Sequence, residues 1–182
     1  MIPTKPRKPK KCKAPGCSER FVPRSMAQMV CSPICAQKIA VAKREKAEKK
    51  DIRQRREKLK TRSDWMKEAQ VAFNAWVRER DKDDPCISCQ RYHQGSYDAG
   101  HYRSRGAAPA LRFNEDNCHK QCVPCNQHKS GNIIEYRINL IKKIGSARIN
   151  FIESEHAPEK WTVEEIKAIR DLYRAKLKEL KK

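Results

Sequence analysis

No stretch of this sequence approaches the roughly 20 consecutive apolar residues that a membrane-spanning helix requires. Nor does the N-terminus, Met1-Ile-Pro-Thr-Lys-Pro-Arg7, hold the apolar core of a secretory signal. Aromatic residues are scarce, at 7 %, while charged residues make up 35 % of the 182 positions. A large continuous core is therefore not expected. Small modules stapled by metal and joined by polar helices fit better. Acidic residues are few beside basic ones, 22 against 42, a formal +20. Such a surplus repels itself and attracts a polyanion, and nucleic acid offers one through its phosphates. A solubilising or tail-localised charge is the plainer alternative, but Lys and Arg occur along the whole length. Disulfides need an oxidising compartment, and nothing here points to one. A reduced, soluble, intracellular protein is expected.

The nine cysteines are an odd number, but eight form two closely spaced sets. In the first, Cys12 and Cys17 are followed, thirteen residues on, by Cys31-Ser-Pro-Ile-Cys35. Ala14-Pro-Gly16 supplies a bend between the first two. The second pair opens a helix near Ala36, whose positive N-terminal end favours thiolates. Cys12, Cys17, Cys31 and Cys35 read as a small zinc finger over 12–36, after a flexible basic arm over 1–11. Unrelated buried cysteines are the alternative, but so short and polar a segment has little core to bury them. The second set, Cys86-Ile-Ser-Cys89 and Cys122-Val-Pro-Cys125, suits four thiolates on another Zn²⁺. Closing that tetrahedron pins the ends of segment 86–129 together. The residues between are then confined to a loop held at its base by metal. Cys118 is left over, and packing rather than ligation is its expected role.

Residues 37–62 contain neither Gly nor Pro and few large apolar side chains. They predict a charged helical linker that either lies along DNA or simply faces water. Ser63 or Asp64 can cap the next helix, which runs to about Arg80. In it Trp65, Ala69, Ala72, Phe73, Trp76 and Val77 recur at helical spacing as a core stripe. Asp81-Lys-Asp-Asp-Pro85 breaks that helix. Tyr97-Asp-Ala-Gly-His-Tyr102 reads as a short strand with Tyr97, Ala99 and His101 on one face. Ala110-Leu-Arg-Phe113 reads as its hairpin partner, across a loop holding Gly106 and Pro109. Cys122 and Cys125 then start a helix carrying Asn126. Ile133, Ile134, Ile138, Ile141 and Ile144 mark a helix ending at Gly145, and a short one follows over 147–154. Thr162-Val-Glu-Glu165 is a capping box for the last helix. Its stripe, Ile166, Ile169, Tyr173, Leu177 and Leu180, packs on the preceding helix or forms the seam of a homodimer. The fold class is mainly α with small zinc-stapled α+β modules. In order these are the finger, the charged helix, a central module with its preceding helix over 63–145, and C-terminal helices over 146–182.

The residues with chemistry lie inside the pinned segment. Cutting a phosphodiester needs a base that deprotonates water and a divalent cation that stabilises the phosphate and the leaving oxygen. A neutral His held in one tautomer is a suitable base near pH 7. The cation needs hard donors and open positions. His101, Asn117 and Asn126 are expected to converge once the zinc closes the loop, with Arg103, Arg105, Arg112 and Lys129 as phosphate contacts.

The order Cys-x-x-Cys, His101, Asn117, Cys-x-x-Cys-Asn126-x-x-Lys129 resembles the zinc-stapled HNH nucleases, whose fold is a ββα-metal unit. Asn126 stands where the third motif residue is often His. By this resemblance His101 is the general base, Asn117 holds the His loop, and Asn126 binds a catalytic Mg²⁺ or Mn²⁺ alongside two structural Zn²⁺. A wider likeness spans nearly the whole chain. The N-terminal four-Cys finger, the charged helix and Arg78-Glu-Arg-Asp81 before Pro85-Cys-Ile-Ser-Cys89 are its first half. Asp98-Ala-Gly-His-Tyr102, Leu111-Arg-Phe-Asn-Glu115 and Cys125-Asn-Gln-His-Lys-Ser-Gly131 complete it. This layout is similar to the NinG/Rap recombination proteins of lambdoid phages. It implies a structure-specific endonuclease for branched intermediates such as Holliday junctions and D-loops, at work in the cytoplasm of a bacterial host.

One position departs from the HNH pattern. An Asp or His ligand often precedes the base, and here that position is Gly100. Asp98, on the same strand face as Gly100, is the expected donor, directly if the strand bulges or through a water. His119 and Asp116 are alternative donors. His119 and His128 otherwise read as surface residues or phosphate contacts, and His93 and His156 carry no role. The competing function is a zinc-dependent nucleic-acid-binding adaptor without catalysis. Binding alone has no need of His101, Asn117 and Asn126 together.

Overall fold

The computed structural model describes residues 7–157 and 159–182. The chain divides into two compact units, 1–60 and 61–182. The first is the finger with its helix. β1 (Lys10–Lys11) pairs antiparallel with β2 (Arg20–Phe21). The flexible arm expected over 1–11 lies outside the described residues at 1–6, and its last two residues belong to β1. α1 (Pro33–Leu59) starts at Pro33, ahead of the expected Ala36, because Ser32 caps it by accepting from Cys35 N at 3.2 Å. Within α1 only Cys35 is buried. The helix is solvated along its length, as the absence of an apolar stripe predicts.

The second unit is built on α2 (Arg62–Arg80). Downstream lie β3 (Tyr97–His101), β4 (Cys118–Cys122), α3 (Ile133–Ile144), α4 (Ser146–Glu153) and α5 (Val163–Leu180). Thr61, not Ser63 or Asp64, is the N-cap of α2. Its hydroxyl accepts from Asp64 N at 3.3 Å while the Asp64 carboxylate accepts from Thr61 N at 3.0 Å. Asp64 is thus the third residue of a reciprocal capping box. Trp65, Ala69, Ala72, Phe73, Trp76 and Val77 are all buried, as their spacing predicts.

The strand pairing differs from expectation. β3 pairs antiparallel with β4, matching Asp98 to Gln121, Gly100 to His119 and His101 to Cys118. Ala110–Phe113 is no strand: Pro109–Leu111 forms a 3₁₀ turn. Pro109 has no N–H to give a ladder, and Leu111 is buried with Ala108 and Ile152. The sequence of β4, Cys-His-Lys-Gln-Cys, has no apolar alternation, yet every residue is buried. Most of its polar groups find partners, Gln121 Oε1 being left without one. Lys120 O accepts from Ile87 N at 3.0 Å, and Lys120 Nζ donates to Lys82 O at 2.8 Å. After β4 the expected helix is a single π-helical turn over Pro124–His128.

Gly145, at φ 84°, ends α3 as predicted; a residue with a side chain is disfavoured there. Thr162 and Glu165 make the expected capping box of α5. Its stripe packs on α2 rather than on the preceding helix. Ile166 and Tyr173 are buried in one cluster with Trp65, Phe73 and Trp76, while Ile169 and Leu177 line its edge. The Tyr173 ring meets Phe73 edge-on, centroids 4.8 Å apart. The residues that offered a dimer seam are therefore used inside the chain, Leu180 remaining exposed. The fold is mainly helical with two small sheets. No helix among the described residues is long and apolar enough to cross a membrane.

Candidate active site

The cysteines assemble as their spacing predicts. All nine are free thiols. Ligand atoms of Cys12, Cys17, Cys31 and Cys35 lie within 4.8 Å of one another, and so do those of Cys86, Cys89, Cys122 and Cys125. Tetrahedral thiolates at the usual Zn–S distance stand about 3.8 Å apart. Cys17 and Cys31 are 3.7 Å apart and Cys89 and Cys122 are 3.9 Å apart. Backbone amides point at two of the sulfurs, Cys31 N at Cys12 (3.4 Å) and Cys122 N at Cys86 (3.3 Å), which suits thiolates. Each tetrad can hold a structural zinc ion. His93, which the sequence left without a role, brings Nε2 to 3.2 Å from Cys89 Sγ. Its spacing of four residues from Cys89 was the available signal.

The second tetrad closes the base of β3 and β4. A cleft of about 520 Å³ opens beside β3, lined by Asp98, His101 and Asn126 together with Asn74, Arg78, Arg105 and Gln127. β3 delivers His101 to it. His101 Nε2 lies 2.9 Å from the carbonyl of Arg112. A carbonyl only accepts, so Nε2 carries the hydrogen and Nδ1 holds the lone pair of the neutral ring. Burial pushes the His101 pKa below its ordinary value; the bond to Arg112 O opposes this, and the charges of Arg105 and Arg112 reinforce it. The ring is therefore neutral near pH 7. Cys118, the ninth cysteine, is its other neighbour, with Sγ 3.6 Å from Nδ1.

Asn117 is fully buried and never reaches His101. It clamps the chain that follows. Its Oδ1 accepts from Arg103 N at 2.8 Å, and its Nδ2 donates to Arg103 O at 3.0 Å and Leu111 O at 3.1 Å. The carbonyl that orients His101 lies next to one of these clamped residues. Asp98 Oδ2 accepts from Asn126 Nδ2 and Gln127 Nε2, each at 2.8 Å. One carboxylate and two amides thus meet at the end of the cleft.

Gly100 has a physical reason. A Cβ there would collide with the side-chain oxygen of Gln121. Gln121 is fully buried, donates to Ser88 Oγ at 2.7 Å, and fills the space that a ligand at position 100 would use. The alternative donors are elsewhere. His119 is buried against Tyr136, its pKa pushed down to about 3 chiefly by burial. Asp116 pairs with Arg148 at 3.2 Å. Among the described residues, only the two cysteine tetrads bring three or more His, Cys, Asp or Glu ligand atoms together.

The candidate phosphate contacts diverge. Arg103 donates to the carbonyls of Ile152, Glu153 and Ser154, holding the end of α4. Arg105 is exposed at the cleft. Arg112 Nε donates to Gln70 Oε1 at 2.8 Å. Lys129 and His128 are exposed. Arg80 and Asp81, quoted above only as a motif, brace β4. Their side chains pair at 2.7 Å, Arg80 reaches Cys118 O at 2.8 Å, and Asp81 accepts from Lys120 N at 3.0 Å.

Comparison with known proteins covers almost the whole chain. The family model described as bacteriophage lambda NinG protein matches residues 4–182. Protein ninG of Escherichia phage lambda is 49 % identical over 94 % of this chain and 93 % of its own length. Protein ninG of Salmonella phage P22 is also 49 % identical, covering 94 % of each chain. Protein ninG of Escherichia phage 933W is 47 % identical, covering 96 % of each. No solved structure matches. The chain belongs to the NinG family of lambdoid phage proteins.

Proposed function

We propose that this protein is a cation-dependent endonuclease that cuts branched DNA intermediates of recombination, with His101 as general base. The observation that carries the reading is the setting of His101. One ring nitrogen is fixed by Arg112 O, the ring is held neutral, and it lines the same cleft as the Asp98–Asn126 pair. A purely structural histidine has no need of such a cleft.

In this reading His101 takes a proton from water at Nδ1, which at rest faces Cys118 Sγ at 3.6 Å and must turn from it to meet the water, while the Arg112 carbonyl keeps the other nitrogen protonated. Asn117 positions His101 indirectly, by tying Arg103 to Leu111, the residue before Arg112. Arg78 and Arg105 draw the phosphate into the cleft. Asp98 and Asn126 would hold the divalent cation through oxygen donors, which suits Mg²⁺ or Mn²⁺. When bound, that cation supplies stabilisation of charge on the phosphate and the leaving oxygen.

The competing reading, a zinc-dependent adaptor that binds nucleic acid without cutting it, is favoured by the single carboxylate in the cleft. Incubation of the full-length, zinc-loaded chain with a four-way junction and Mg²⁺ or Mn²⁺ separates the two. Nicked strands that appear only with the cation support the nuclease. Intact strands under either cation, with the junction still bound, select the adaptor.

A further inference from the structure

A second groove, of about 480 Å³, lies beside the first and shares Arg105 with it. We propose that this groove binds an unpaired DNA strand leading away from the cleft, with a base stacked on Trp161. The inference rests on the nuclease reading only in naming the cleft as the place where that strand is cut.

The two grooves follow one face of α2. Arg62 and Lys67 line the second, Asn74 and Arg78 line the first, and Gln70 lies between them, bonding Asn74 at 2.7 Å and Arg112 at 2.8 Å. Ser63, Lys67, Gln70, Asn74 and Arg78 follow one another at steps of three or four residues, which keeps them on one side of the helix, with Arg62 in its first turn. From Arg62 to Arg78 the helix rises about 24 Å, room for several nucleotides of a single strand.

The groove is charged for an anion. Arg62, Lys67, Arg105 and Arg112 line it, and Glu159 is the one carboxylate among the lining residues. Among the described residues none of these four cations has a carboxylate partner: Arg62 Nε donates to Trp161 O and Arg112 Nε to Gln70. Burial lowers the Arg112 pKa first, and the neighbouring charges of Arg105 and Arg62 lower it further, the mark of an uncompensated cluster. Phosphate would relieve that repulsion.

The aromatic group decides which nucleic acid fits. Trp161 is half-buried, its ring edge-on to Phe113 with centroids 5.6 Å apart, and Met66 stands beside it in the groove. A duplex keeps its bases inside, so a ring at the end of a basic groove can stack only a base that is unpaired. Branched intermediates that carry an unpaired strand at the branch supply one.

The test is fluorescence-anisotropy binding of oligodeoxythymidylate and of a linear duplex to the full-length, zinc-loaded His101→Ala chain, with and without a second change. Lys67→Glu and Trp161→Ala are each expected to weaken single-strand binding by about tenfold, leaving the duplex almost unchanged, and Trp161→Phe is expected to restore most of the loss. Trp161 packs on Phe113, so if Trp161→Ala does not fold, the exposed Lys67→Glu decides. Equal loss for single strand and duplex, or no loss for either, overturns the proposal. Binding is read without cleavage, so a failure of His101 as base would show separately, as cutting by His101→Ala.

Discussion

His101 is held by a backbone carbonyl on one side and touched by a thiol on the other. Burial and two nearby arginines depress its pKa, and the neutral form is the one that accepts a proton. The acid limb of the cleavage profile should therefore fall below about pH 6.5, the ordinary His value. Single-turnover cleavage against pH checks this; a limb at or above that value contradicts the geometry. Gly100 is a second residue-scale test. Gly100→Ala forces its methyl into Gln121, a fully buried side chain, so a loss of about 1–3 kcal/mol is expected in denaturant unfolding. An unchanged midpoint would mean that Gln121 yields freely. The sequence marks Gly100 as the departure from the HNH pattern, but not its cause. Gln121 carries no motif; only the register that sets Asp98 opposite Gln121 reveals it.

At the scale of elements, most boundaries were legible because local chemistry set them. Gly145 ends α3, Thr162 and Glu165 start α5, and the α2 stripe is buried at the spacing that exposed it. Where tertiary partners set the element, the sequence misled. Leu111 and Phe113 looked like a strand, but Pro109 turns the chain there. The true strand, Cys118–Cys122, looks polar and is buried with Asp81, Ile87, Ser88 and Lys82 serving most of its polar groups, Gln121 Oε1 excepted. The α2 cap was shifted by two residues or more for a simpler reason: Asp64 is a good cap in isolation but is better used as the third residue of a box. Thr61→Ala should therefore cost about 1 kcal/mol of unfolding free energy, whereas Ser63→Ala, which caps nothing, should cost little. Equal effects in thermal or denaturant unfolding would reject Thr61 as the cap.

For the whole molecule, two cysteine tetrads that can each hold zinc stand where the composition cannot build a large core. The finger's small apolar cluster is its own cysteines with Ala14, Phe21, Val30 and Ile39 around them, and a second cluster is Cys86, Cys122 and Cys125 with Cys89 and Tyr97. Zinc bound there would be folding energy for both units. Elemental analysis should return two zinc ions per chain, and chelation should abolish the folded circular-dichroism signal of the finger and disorder β3 and β4. Less than one zinc per chain would reject the tetrads as metal sites. The two cysteine tetrads were readable from spacing alone, because a tetrahedral zinc site demands four thiolates and little else. The meeting of Asp98 with Asn126 was less so, since a carboxylate and an amide in a cleft leave their pairing to the fold.

The central claim is that His101 does chemistry and is not merely a buried side chain. Its most direct test is single-turnover cleavage of a four-way junction by wild type and by His101→Ala, with zinc content and junction affinity measured on the same preparations. Loss of a general base should lower the rate by about 10²–10⁴-fold while zinc content and affinity stay the same. Cleavage by His101→Ala at the wild-type rate, with zinc and binding unchanged, would contradict the account.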